Sequence, residues 1–243
     1  MKYGVQLYSL RETAEREGAE KILRMVSEAG YDGVEFAGFY GRTPEEMKEL
    51  LKKYKIVGIS AHIRPGAVEE NLPYIDALGI KYVFIPWAGV EEFESAEKYE
   101  KLLAETKKAK TLLDARGVGF GYHNHAHEFE NGKDYLKKIT DDVAGLKAEL
   151  DVFWATVAGL DAVGKMKELE GKLAFVHIKE AAKENAREAA QPVVGEGAVG
   201  MPAVFAEAKR QGIEWAVLEV EKFPCGEQEY LSRSFENMKK LGN

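Results

Sequence analysis

Short apolar runs alternate along the chain with longer amphipathic stretches that carry most of the charge. The first run, YGVQLYSL, ends at Leu10, and the stretch after it places Ile22, Leu23 and Val26 at helical spacing before Gly30. The pattern therefore predicts a strand followed by a helix that ends at the glycine.

The same unit recurs to the end of the chain. The further predicted strands are GVEFAGF, IVGISAHI, KYVFIPWA, GVGFGYHNH, LKAELDVFW, LAFVHIKE and WAVLEVE. The helices predicted after them are PEEMKELLKKY, residues 67–78, 95–115 and 134–139, AVGKMKELEG, residues 202–211 and YLSRSFENMKKL. Thr43, Pro44 and Glu46 match the start of a helix closed by a capping box.

Eight strand–helix units in 243 residues, with no linker or change of composition, predict one (β/α)8 TIM barrel over residues 1–243. The competing fold is an open doubly wound sheet, which often has a glycine-rich phosphate loop after its first strand. The sequence reads YSLRET at that position, which favours the barrel.

Charge and cysteine content narrow the classes of partner. A net charge of -7 disfavours a nucleic-acid surface, which needs clustered lysine and arginine. The single cysteine, Cys225, forms no internal disulfide, as is usual in a reducing cytoplasm. No apolar run has signal-peptide length or approaches the ~20 residues that span a bilayer. The expectation is a cytoplasmic protein that binds neither nucleic acid nor membrane.

Polar residues stand at the ends of the predicted strands, where barrel enzymes carry their chemistry. They are Gln6, Tyr8, Glu35, His62, Trp87, His123, Asn124, His125, Asp151, Trp154, His177, Lys179, Glu219 and Glu221. The fifth strand leads into GYHNHAHEFE, whose alternation places His123, His125 and His127 on one face if the segment stays extended.

Three of these residues lie inside apolar runs, where a buried charge is costly unless it is paired or binds a cation. Asp151, His177 and Glu219 taken singly also fit a core hydrogen bond or a salt bridge. Together with the histidines after the fifth strand they fit a divalent-metal site with nitrogen and oxygen ligands. Trp87 and Trp154 fit either core packing or a stacking surface for a sugar.

The order and spacing of several motifs resemble the xylose isomerase-like TIM-barrel superfamily of sugar phosphate isomerases and epimerases. The motifs are GVQLYSLR, GYDGVEFAG, YHNHAHEF, ELDVFW, VHIKE, VGEGAVG and AVLEVE, and they cover essentially the whole chain. YHNHAHEF is similar to the branch that contains inosose dehydratases.

The resemblance implies one divalent metal ion held by residues from strands five to eight. Three ligands carry over directly as Asp151, His177 and Glu219. The family's strand-five glutamate is replaced by His123, and Glu128 lies five residues further on, so these two are rival fourth ligands. Manganese, zinc, cobalt and iron all suit such a donor set.

The activity that the resemblance implies is isomerisation or epimerisation of a sugar or sugar phosphate through a metal-stabilised enediolate. The proton-transfer residues would come from Glu219, His123 and His125, and Lys179 would stabilise the oxyanion or orient a hydroxyl. With a single base, the same site would be a dehydratase or lyase acting on an inosose or 3-keto sugar.

The remaining site residues have two interpretations each. Glu35, His62 and Glu221 either hydrogen-bond sugar hydroxyls or orient the ligands. His125 is expected to face the same cavity, and His127 to point to solvent or to support the ligands.

Two other classes of function compete with an enzyme that acts on small carbohydrates. A metal-dependent abasic-site nuclease shares this barrel, but it needs further ligands and a basic groove, which the charge of -7 disfavours. A catalytically inactive sugar-binding barrel fits the departure at His123. Dimers are common among such barrels, so a homodimer is also expected, and the sequence leaves open whether the substrate carries phosphate.

Overall fold

The computed structural model describes residues 1–243 and is a closed barrel of eight parallel strands, β1 to β8 in chain order. The strands are β1 Lys2–Gln6, β2 Gly33–Phe36, β3 Val57–His62, β4 Tyr82–Ile85, β5 Gly119–His123, β6 Lys147–Asp151, β7 Leu173–Ile178 and β8 Trp215–Leu218. This confirms the predicted (β/α)8 TIM barrel.

Eleven helices surround or connect the strands. They are α1 Arg11–Glu17, α2 Ala19–Ala29, α3 Pro44–Tyr54, α4 Val68–Leu78, α5 Val90–Glu94, α6 Ala96–Asp114, α7 Tyr135–Asp142, α8 Val152–Val157, α9 Ala162–Glu168, α10 Met201–Arg210 and α11 Glu227–Gly242. The capping box of α3 is present, since Glu46 N donates to Thr43 Oγ1 (3.2 Å) and Thr43 N donates to Glu46 Oε2 (2.9 Å). None of the helices combines the length and apolarity that crossing a bilayer requires.

Several element boundaries differ from the prediction. The first predicted helix is divided at Gly18, whose φ of 82° leaves helical geometry. The short helix α5 precedes the long predicted helix, α6. The first strand ends at Gln6, and Trp154, predicted in a strand, lies in α8. The cause at Trp154 is local, because the Asp151 carboxylate accepts its N–H (2.9 Å) and caps a helix directly after β6.

The interior of the barrel is layered. Near the amino ends of the strands it is filled by an apolar layer of Ile59, Phe84, Phe175, Trp215 and Val217. The side chains above that layer, toward the carboxyl ends, are polar and charged. A separate core of 62 buried residues lies chiefly between the sheet and the helices. The layering puts chemically active groups at one end of the barrel only.

The apolar layer depends on glycines that make room for aromatic rings. A Cβ added at Gly121 would lie 2.6 Å from the Phe84 ring and 2.9 Å from the carbonyl oxygen of Lys147. We expect Gly121→Ala to lower the free energy of unfolding by roughly 1–3 kcal/mol, as overpacking does. Gly66→Ala is the control, because its nearest side-chain atom would be 3.6 Å away, and it should change stability by less than ~0.5 kcal/mol. Denaturant unfolding measures both, and equal values would contradict the packing argument.

Candidate metal centre

A cavity of about 460 Å³ opens at the carboxyl ends of the strands. Its lining combines aromatic, imidazole and carboxylate groups, which are Tyr8, Ala37, His62, Pro86, Trp87, His123, His125, Trp154, Glu219 and Glu221. Most of the residues that the sequence analysis assigned to a site therefore lie on one concave surface.

Four side chains converge at the floor of this cavity, where His123 and Glu219 line it and Asp151 and His177 are fully buried against them. His123 ends β5, Asp151 ends β6, His177 lies near the end of β7, and Glu219 directly follows β8. One ligand atom from each lies within 4.8 Å of the others, and all four residues are buried. Parallel strands whose neighbouring residues are in register, such as Asp151 and His177, bring these side chains together.

Two atoms of these four side chains make no hydrogen bond and are free to bind a cation. Asp151 Oδ1 caps α8, while Asp151 Oδ2 and His123 Nδ1 are buried without a hydrogen-bond partner. Burial raises the pKa of Asp151 to about 7, and burial with the neighbouring imidazoles holds the pKa of His123 well below its usual range. A neutral imidazole and a carboxylate lacking a partner are what a divalent ion requires, so these residues fit a metal ion.

The family assignment follows from the sequence as a whole. Residues 23–241 match the family model described as xylose isomerase-like TIM barrel. The chain belongs to that family. This match confirms the resemblance seen in the motifs. A comparison with curated proteins found no significant match.

Several solved structures share the fold of this chain along almost their full length. A sugar phosphate isomerase/epimerase from Parabacteroides distasonis has 21% identity and a TM-score of 0.77, over 99% of this chain and 98% of that one. A probable 3-DHS dehydratase from Bacillus anthracis has 16% identity and a TM-score of 0.77, over 100% and 99%. D-allulose 3-epimerase from Methylomonas sp., solved with D-allulose, has 14% identity and a TM-score of 0.74, over 99% and 97%. At these identities the likeness concerns the fold.

In this xylose isomerase-like barrel, His177 links the candidate metal centre to a second buried carboxylate. Its Nδ1 lies 3.1 Å from Glu219 Oε2, and its Nε2 lies 2.8 Å from Glu35 Oε1. Glu35 is itself held by Gln6 Nε2 (2.7 Å) and by the hydroxyl of Ser60 (2.6 Å). A carboxylate behind a ligand imidazole orients the ring and makes it a stronger ligand.

Of the two interpretations of Glu35, its position favours the one in which it orients a ligand. It is fully buried and does not line the cavity wall. The other residues suggested for substrate binding, His62, Trp87, Trp154 and Glu221, do line the cavity.

Sequence reasoning missed Glu149, which lies beneath the floor of the cavity. It is fully buried, and its Oε2 is 2.7 Å from His62 Nε2 and 3.4 Å from His123 Nδ1. Glu149 forms a second candidate ligand group with His62, His123 and His177. The signal was available, because Glu149 stands two residues before Asp151 and must share its face of the strand.

Glu128, the rival for the fourth ligand position, lies in neither ligand group. Its Oε1 accepts the Tyr122 hydroxyl (2.8 Å) and its Oε2 accepts the backbone N–H of His125 (2.8 Å). The strand ends at His123, so the three histidines do not share an extended face. His127 Nε2 lies 2.9 Å from the Ala88 carbonyl oxygen. Glu128 thus shapes the turn that carries His125.

Lys179 is the only buried lysine at the centre. It pairs with Glu221, and its Nζ lies 3.7 Å from Glu219 Oε2 and 3.9 Å from Asp151 Oδ2. The ammonium also lies 4.7 Å from the centre of the Trp154 ring. Lys179 therefore offsets part of the negative charge of the carboxylates around it.

The contact between Glu35 and His177 gives a test of the metal centre. We expect Glu35→Gln to weaken metal binding about 10- to 100-fold, because the amide keeps the shape of the carboxylate and loses its charge. Competition with a chromophoric chelator measures the dissociation constant. Glu46→Gln, on the exposed surface of α3, keeps its cap and should leave the constant unchanged. An unchanged constant in Glu35→Gln would show that Glu35 does not act through the ligand.

Proposed function

We propose that this protein is a divalent-metal-dependent isomerase or epimerase of small carbohydrates. The observation that supports this most directly is the group of His123, Asp151, His177 and Glu219 at the floor of a sugar-sized cavity, with two buried donor atoms that lack partners. A divalent ion bound there would polarise the carbonyl of a substrate and favour loss of the adjacent proton.

His125 is the residue we assign to move that proton, with Glu219 as its partner. His125 lines the cavity, and its backbone N–H is fixed by the Glu128 carboxylate (2.8 Å). A base needs a ring nitrogen that is available to the substrate and a rigid support. His125 follows β5 and Glu219 follows β8, three strands further around the ring, so they approach a substrate from different sides.

Aromatic residues at the mouth of the cavity suit a carbohydrate. Tyr8 is 46% exposed and Trp87 is 42% exposed, which is unusual for rings of this size, and Trp154 lines the wall below them. Flat rings pack against the C–H faces of sugars, while His62 and Glu221 in the same wall offer hydrogen bonds to hydroxyls.

A dehydratase or lyase is the second candidate, favoured by one feature. His123 takes the ligand position where the family resemblance implies a glutamate, so Glu219 is the single glutamate of the ligand group. If only one base acts, the proton is removed but not returned on the other face. A hydroxyl on the next carbon then leaves as water.

The two reactions are separated by incubating metal-loaded protein in heavy water with ketosugars and inososes. The proposal predicts deuterium in recovered sugar together with an isomer or epimer, whereas a product lighter by one water would identify the lyase. Asp151→Asn protein prepared in parallel controls for contaminating activity. Absence of both exchange and dehydration with every metal would leave a sugar-binding barrel.

A further inference from the structure

The walls of the cavity carry no lysine or arginine to receive a phosphate group, and the His62 imidazole is held between the carboxylates of Glu35 (3.1 Å) and Glu149 (2.7 Å). Its titratable lining residues are three histidines and two carboxylates, which are His62, His123, His125, Glu219 and Glu221. A phosphate dianion placed against two carboxylates would be repelled, at a cost that rises as water is excluded.

The cations nearest to the cavity already have partners. Lys179 is fully buried and paired with Glu221. Arg11 lies over the Tyr8 ring, 4.5 Å from its centre, and donates to the Tyr8 carbonyl oxygen (3.1 Å). Arg64 lies over the Trp87 ring and pairs with Glu92 at 3.0 Å. The two arginines pack against the aromatic rim and do not line the cavity.

The loop after β7 has its anion-binding position filled by the chain itself. In many barrels the backbone amides of the loops after strands seven and eight hold a substrate phosphate. Here the buried carboxylate of Glu180 accepts N–H groups from Ala181 (3.2 Å), Gly195 (3.0 Å) and Val199 (2.9 Å). The carboxylate of Glu180 thus accepts the hydrogen bonds that amides of the VGEGAVG loop could otherwise donate to a phosphate.

The amides after β8 are occupied in a similar way. Gln191 Oε1 accepts the N–H groups of Glu221 (3.0 Å) and Lys222 (2.7 Å). Gln191 is 2% exposed, so these hydrogen bonds are buried within the protein. In both loops where this fold usually binds phosphate, these backbone amides are therefore already hydrogen-bonded to side chains of the protein.

We propose that the site takes a neutral, unphosphorylated polyhydroxy carbonyl compound, a free ketosugar or a cyclic polyol ketone, and rejects its phosphate esters. The reaction that this compound undergoes rests on the function proposed above, but the preference for binding it over its phosphate esters does not. The carboxylates and imidazoles of the wall bind hydroxyls, and the aromatic rim covers the carbon skeleton.

The test compares D-fructose and D-allulose with their 6-phosphates on the metal-loaded protein. Binding is measured by calorimetry and by tryptophan fluorescence, and deuterium exchange is measured on the same samples. We expect each free sugar to bind at least about tenfold more tightly than its ester, and inorganic phosphate not to displace it. Glu221→Gln removes one negative charge from the wall, so it should reduce the ratio of the dissociation constant of the ester to that of the free sugar. Glu170→Gln, paired with Arg210 on the outer surface, should leave it unchanged.

Each outcome separates the recognition from the reaction. Tighter binding of the free sugar with exchange supports both, and tighter binding without exchange supports the recognition while the proposed function fails. Tighter binding of the esters, displacement by inorganic phosphate, or no binding of any of these sugars would overturn the inference.

Discussion

Replacing His125 with glutamine is expected to lower the rate of proton exchange by roughly 10²- to 10⁴-fold, the usual contribution of a positioned base. The metal content should not change, because His125 belongs to neither candidate ligand group. Glutamine retains hydrogen bonding and approximate length but cannot accept a proton at neutral pH. The measurement is deuterium uptake in single turnovers, with metal content determined on the same samples.

His127→Gln is the matched control for this variant. His127 lies two residues further on and is half-buried, but it does not line the cavity. Its loss should change the exchange rate by less than about threefold, since it touches no substrate atom. If His125→Gln retains exchange within tenfold of the original rate, His125 is not the base, and Glu219 takes that role alone.

Asp151→Asn is expected to raise the dissociation constant for the metal ion roughly 100- to 1,000-fold. This change corresponds to the loss of one ligand in four, about one quarter of the free energy with which four-ligand sites bind zinc. Asparagine still caps α8, so the fold of the loop is preserved. The melting temperature of this variant should no longer rise when metal is added, because that rise depends on the ratio of ion concentration to dissociation constant.

Asp114→Asn provides the comparison for general effects of losing a carboxylate. Asp114 is exposed and pairs with Lys110 on α6, away from the cavity. Its metal-induced rise in melting temperature should equal that of the original protein. An undiminished rise in Asp151→Asn would place the ion elsewhere, for example at the group containing Glu149.

The periodicity of the chain was sufficient to predict the barrel, because each strand–helix unit carries its own pattern. It was less informative about where strands end. Asp151 looks like part of an apolar strand, and only its capping of α8 shows that the strand stops there. Gly18 likewise interrupts a helix whose periodicity continues on both sides.

The ligand group could be anticipated from strand ends, whereas its supporting residues could not. Glu35 was visible, but whether it faces the cavity or lies beneath it depends on its contacts with Gln6, Ser60 and His177. Glu128 was plausible by chain distance, and its bonds to Tyr122 and His125 place it outside the ligand group. Such contacts depend on barrel closure, which brings together residues distant in sequence.

The apolar layer at the amino ends of the strands gives the barrel a closed bottom, so its polar interior communicates with solvent through one opening. The candidate ligands lie at the floor of the cavity, beneath the aromatic rim. An ion and a sugar would share this entrance, and the ion must arrive first. A bound sugar would then hold the ion in place, so a chelator should remove metal more slowly from the sugar complex than from the protein alone.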